Sequence, residues 1–132
     1  MLYHYLAVRT EKYPNVDTKR LYVTGLSSGG IGAFDALAKY EYKFAGAVPI
    51  SAGWDPNMFQ HKQGVAVWAF YNDDEKKFTQ DSCEKSMQEI IKNGGVARKT
   101  VFNKKGHDAW SWAYAEPELI PWLFKQSLYC PQ

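Results

Sequence analysis

Five consecutive residues, Gly25-Leu26-Ser27-Ser28-Gly29, match the pattern G-x-S-x-G. Small residues are needed around such a serine because a sharp turn between a strand and a helix lifts its hydroxyl clear of the backbone. The following helix aims its first N–H groups at the same place, which favours negative charge developing on a substrate oxygen. A phosphate-binding loop is the competing reading, but no G-K-[ST] follows to suit a phosphate. A serine hydroxyl alone is a weak nucleophile, so the pattern calls for a histidine to take its proton and a carboxylate to orient that histidine. His107, in Gly106-His107-Asp108, follows the last β-rich run, whereas His4 falls in a helical pattern and His61 in a loop. Carboxylates are available in Asp73-Asp74-Glu75, directly after the most apolar run of the chain.

Those three segments have to be brought to one edge by the elements between them. Residues Leu2 to Tyr13 have helical spacing that Pro14 stops, and Leu21-Tyr22-Val23-Thr24 is a short β-rich run ending at Gly25. Ile31, Phe34, Leu37 and Ala38 then recur at helical spacing. Ala45 to Ile50 reads as a second strand, and the continuously apolar Val65 to Tyr71 as a central strand covered on both faces. Cys83, Met87, Ile90 and Ile91 mark an amphipathic helix that Gly94-Gly95 ends. Ala97 to Phe102 carries Arg98, Lys99 and Thr100 and suits an edge strand. A last helix is expected from Pro117 or Pro121 to about Leu128. Alternating elements of this length predict an α/β fold of about four parallel strands flanked by helices. With 132 residues and no linker or internal repeat, residues 1–132 are expected to form a single domain.

The chain order serine, acid, histidine is the one found in α/β-hydrolases. The run from Asp17 to Gly30 resembles the nucleophile segment of feruloyl-esterase-like and dienelactone-hydrolase-like enzymes, the compact esterase and lipase branch of that superfamily. The likeness continues through Val67-Trp68-Ala69-Phe70, Asn93-Gly94-Gly95 and Gly106-His107-Asp108-Ala109-Trp110. It implies a minimal α/β-hydrolase fold and a serine hydrolase acting on carboxylic esters, with Ser27 as nucleophile, His107 as general base and no cofactor. In such relatives the acid follows the strand in a His-Gly-x-x-Asp pattern, which in ungapped register falls on Tyr71 to Glu75. Register points to Glu75 and a one-residue slip to Asp74. The Val-Pro that would anchor the alignment is missing, so both remain candidates, with Asp73 behind them.

The superfamily places several strands before the nucleophile strand, and a loop among them donates one of two oxyanion-hole N–H groups. Only 20 residues precede Leu21, so those strands and that loop are expected to be missing. The Ser28 N–H remains as one donor. Losing the other costs about 10²–10³ in rate. The loop Ser51-Ala52-Gly53-Trp54 is the expected substitute, through a backbone N–H or the Trp54 indole. Tyr71, Trp110 and Trp112 are expected to line the substrate pocket. The strand at Leu21-Tyr22-Val23 would lie at an open sheet edge, predicting either cover by aromatic residues of the first helix or a homodimer.

Composition narrows the partners. Sixteen basic against 14 acidic residues give a net charge of +2 without a basic stripe, which argues against nucleic acid. No apolar run reaches a membrane span or a signal-peptide core, so a soluble chain is expected, its compartment open. No metal-binding pattern is present, and Cys83 and Cys130 lack metal spacing and read as free or buried thiols rather than a disulfide. The expected partner is a small-molecule ester. Competing functions are a peptidase or lactone hydrolase with the same three residues, and a non-catalytic hydrolase remnant serving as a binding or assembly module.

Overall fold

The computed structural model describes residues 11–40, 43–60 and 64–128. Most of the expected first helix, together with His4, His61 and Cys130, lies outside the described residues; Glu11 and Lys12 are helical. Four strands, β1 (Tyr22–Leu26), β2 (Gly46–Ile50), β3 (Ala66–Asn72) and β4 (Val96–Phe102), form one all-parallel sheet in the order β1-β2-β3-β4. Helix α1 (Ser28–Lys39) links β1 to β2, and α2 (Lys77–Lys92) links β3 to β4. Two short helices, α3 (Trp110–Ala113) and α4 (Leu119–Phe124), follow β4.

Period-two alternation sorts the strands' side chains onto two cores. Ala47, Val67, Ala69 and Tyr71 face one side with Phe34 and Leu37 of α1 and Cys83, Met87 and Ile90 of α2. Val48, Ile50, Trp68 and Phe70 face the other, against Ala109, Ala113, Leu119 and Leu123. Every residue of β2 and β3 is buried, which explains their unbroken apolar runs; each large side chain so buried contributes roughly 1.5–3 kcal/mol. No residue of β4 is fully buried and Arg98 and Lys99 are both exposed, as its polar composition led us to expect of an edge.

Several expectations need correction. The C-terminal region is two short helices rather than one, because Asp108 starts a separate turn by accepting hydrogen bonds from the Ser111 N–H and hydroxyl. Ile91 is 56% exposed, since α2 buries Cys83, Ser86, Met87 and Ile90, a stripe that Ile91 falls outside. Ile31, expected to follow the core spacing of α1, is 39% exposed. Among the described residues β1 pairs only with β2; Leu21 and Val23 pack on one core and Tyr22 on the other, while Thr24 and Leu26 are exposed, so both faces of this edge strand are apolar at its start. The Tyr22 hydroxyl donates to Gln126 O and the Leu128 N–H to Lys19 O, tying the segment after α4 to this edge. Among the described residues no helix is long and apolar enough to cross a membrane.

Candidate functional site

In a parallel sheet all carboxyl ends share one rim, and each strand here delivers a polar residue to it. Ser27 directly follows β1. Its backbone is held at φ 54°, ψ −120°, a conformation costly for any residue with a side chain. Its N–H donates to Ile50 O at 2.9 Å, and its carbonyl accepts from Gly30 and Ile31 as α1 begins. Gly25 of the motif and Gly30 just after it matter by proximity: a Cβ on Gly25 would sit 2.1 Å from Gly29 O, and one on Gly30 2.7 Å from Ile50 O. The bend therefore closes only without side chains at those positions.

β3 leads into a turn in which the Glu75 N–H donates to Asn72 O at 3.1 Å. That turn leaves Asp73 and Asp74 exposed and folds Glu75 back, so that its side chain is 6% exposed. Beyond β4, His107 closes the arrangement. Its Nε2 lies 2.8 Å from Ser27 Oγ, and its Nδ1 lies 2.9 Å and 3.2 Å from the two Glu75 carboxylate oxygens. An ionised carboxylate only accepts, so Nδ1 carries the proton and Nε2 is left to accept from the Ser27 hydroxyl. The Trp110 ring meets the imidazole edge-to-face at 5.6 Å between centroids.

Ser27, Glu75 and His107 line one cleft of about 550 Å³, with Ser28, Ile31, Gly53 and Phe78 among its other walls. A second cavity of about 610 Å³ shares Ile31, Gly53, Phe78 and Ser82 with it. Either volume suits a small organic molecule. Exposure of Ile31 and of Phe78, at 82%, makes the mouth apolar.

The other residues singled out in the sequence fall as follows. Asp74 accepts from the Gly106 N–H at 2.9 Å, beside rather than against His107. Ser28 lines the cleft and opens α1, where N–H groups have no partner within the helix. Trp54 is displaced from its expected place: it packs against the core under α2, with its indole nitrogen buried and without a partner among the described residues. Nor does Ser51 offer a donor to the cleft, because its N–H serves Phe70 O and its hydroxyl serves His107 O. Tyr71 is likewise outside the cleft. It is buried on the α2 side and donates to Glu84, because inward positions of β3 alternate away from the rim. Trp112 is half exposed under the Lys104 ammonium, 4.3 Å from the ring centroid, and does not line the cleft; Trp110 acts on the histidine ring instead of the cleft wall.

Away from the cleft, burial pushes the Cys83 thiol up to about 12, and burial and then the Glu84 carboxylate raise the Tyr71 phenol. The Lys99 ammonium and then the Tyr71 hydroxyl hold the Glu84 carboxyl below its ordinary range. Two contacts that bear on the site escaped the sequence analysis, those of the Asn72 and Ser51 side chains with the His107 loop. Both side chains bond to the backbone around His107, and no local pattern announces contacts between residues 34 to 56 positions apart.

No family model and no curated protein matches the chain. Solved structures do. A thermostable esterase superposes with a TM-score of 0.84 at 27% identity, over 96% of this chain and 36% of that one. A ferulic acid esterase gives 0.69 at 19% identity over 92% of this chain and 57% of its own length. The acylaminoacyl peptidase of Pyrococcus horikoshii gives 0.73 at 11% identity, over 96% and 27%. The chain thus spans from about a quarter to just over half of these structures.

Proposed function

We propose that this chain, an α/β-hydrolase of the compact esterase kind, is a serine hydrolase that cleaves small carboxylic esters. The observation that carries the proposal is the hydrogen-bonded series Ser27 Oγ, His107 Nε2, His107 Nδ1, Glu75 carboxylate within one open cleft. Ser27 Oγ attacks the ester carbonyl while His107 Nε2 takes the hydroxyl proton. Glu75 holds the imidazole tautomer and stabilises the imidazolium. The Ser28 N–H receives the carbonyl oxygen as it becomes negative, aided by the amino end of α1. His107 returns its proton to the leaving alcohol, and the acyl group stays on Ser27. Water, deprotonated by the same imidazole, then attacks the acyl-enzyme and frees the acid. The apolar mouth formed by Ile31 and Phe78 suits the acyl or alcohol side chain of the substrate.

The test is hydrolysis of p-nitrophenyl acetate and butyrate by the wild-type chain beside Ser27→Ala and His107→Ala. We expect turnover by the wild type and a loss of about 10³-fold or more in both variants. Equal rates in all three would favour a non-catalytic remnant. An N-acylaminoacyl anilide in the same panel addresses peptidase activity, which the peptidase superposition brings into view.

A further inference from the structure

The loop bearing His107 is held by two buried polar side chains from strand ends. Asn72, the last residue of β3, is fully buried, and its Nδ2 donates to Gly106 O at 2.9 Å and to Asp108 O at 3.0 Å. Ser51, directly after β2, is 4% exposed, and its hydroxyl donates to His107 O at 2.8 Å. Three successive carbonyls around the histidine are thereby bound from the sheet side, while Asp74 takes the Gly106 N–H from outside.

Two further features mark this as more than routine satisfaction of backbone groups. Ser51 has φ 54°, and only it and Ser27 are non-glycine residues with positive φ among the described residues. Such a conformation persists where surrounding structure imposes it, and at Ser51 it accompanies the bond from its hydroxyl to the histidine's own carbonyl. The Asn72 Oδ1 is buried without a partner among the described residues. Two carbonyls on the other side of the amide fix which atom faces them, so Asn72 is held there for its donor end alone.

We propose that Asn72 and Ser51 are positioning residues that set the His107 imidazole between Ser27 and Glu75 by clamping the carbonyls of residues 106 to 108. This rests on the serine-hydrolase reading above. A shift of the loop by about 1 Å would break the Ser27 hydrogen bond and cost on the order of 10²-fold in rate, with substrate binding unaffected because neither clamping side chain supplies the apolar mouth.

The experiment compares wild type, Ser51→Gly, Asn72→Leu and the exposed Asp74→Ala. Ser51→Gly removes the hydroxyl while relieving the backbone, so it should fold. We expect kcat and the rate of fluorophosphonate labelling to fall about 10²-fold in Ser51→Gly and Asn72→Leu, less in Asp74→Ala, with KM unchanged and folded protein by thermal melting. In parallel, proton NMR should show a downfield Nδ1–H resonance of His107 in wild type that is lost or broadened in the variants. Folded variants with wild-type kcat, labelling and Nδ1–H resonance would overturn the proposal, as would losses that merely follow the unfolded fraction. If Asn72→Leu does not fold, Ser51→Gly decides. A wild type inert to esters and fluorophosphonate would refute the hydrolase reading, and the NMR comparison would still test the clamp.

Discussion

The Glu75 carboxylate lies 2.9 Å from His107 Nδ1, with the acid 6% exposed and the imidazole 51% exposed. Shielding from water strengthens the attraction between the carboxylate and a developing imidazolium, while the open ring can still reach substrate and solvent. Replacing Glu75 by Gln keeps the shape and removes the charge. In steady-state ester hydrolysis kcat should fall on the order of 10³–10⁴-fold. Asp73→Asn, at an exposed position beside it, should keep wild-type turnover.

Two glycines of the same motif should respond oppositely. A Cβ on Gly25 meets the Gly29 carbonyl at 2.1 Å, whereas one on Gly29 meets nothing within 4 Å. Gly25→Ala should cost about 3 kcal/mol or more and abolish activity. Gly29→Ala should leave stability within about 0.5 kcal/mol of wild type and preserve turnover. Chemical unfolding of the two variants checks the contrast.

The cluster of Tyr71, Glu84 and Lys99 predicts a dependence of stability on pH. Glu84 has a native pKa depressed by Lys99 first and Tyr71 second, from an ordinary value of 4.5. Its stabilisation is therefore complete above that value and is lost as pH falls through the native one. Glu84→Gln should be less stable than wild type near neutrality, and the gap should narrow as pH is lowered below about 4.5. Urea midpoints measured across that range test this. With the Glu84 side chain one-third exposed, the gap should be small.

Cys83 should be chemically inert in the native protein. It is fully buried, and burial raises its thiol to about 12, so the reactive thiolate is scarce at neutral pH. Iodoacetamide should modify position 83 only on unfolding, as read by peptide mass spectrometry. Rapid alkylation under native conditions would contradict the packing of α2 on the sheet.

β2 and β3 were legible because burial on both faces leaves nearly unbroken apolar runs, as in Ala66–Tyr71. Ser27 and His107 were legible because a strand followed by a tight turn leaves a local signature and the parallel sheet fixes which ends meet. That Glu75 rather than Asp74 meets His107 was not, because it depends on a turn closed by the Glu75 N–H and Asn72 O, which three adjacent acids do not encode. Trp54 and Tyr71 misled because aromatic residues near a site in sequence can pack inward; Tyr71 alternates to the α2 face and Trp54 packs beneath that helix. The start of α3 had a signal in Asp108 and Ser111, whose spacing suits a side chain closing a helical turn.

Covalent labelling tests the central claim most directly. Wild-type protein treated with a fluorophosphonate should carry one adduct on the peptide containing residue 27, at Ser27, and His107→Ala should label far more slowly. No adduct, an adduct at another serine, or labelling of Ser27 at the same rate without the His107 imidazole would contradict the account.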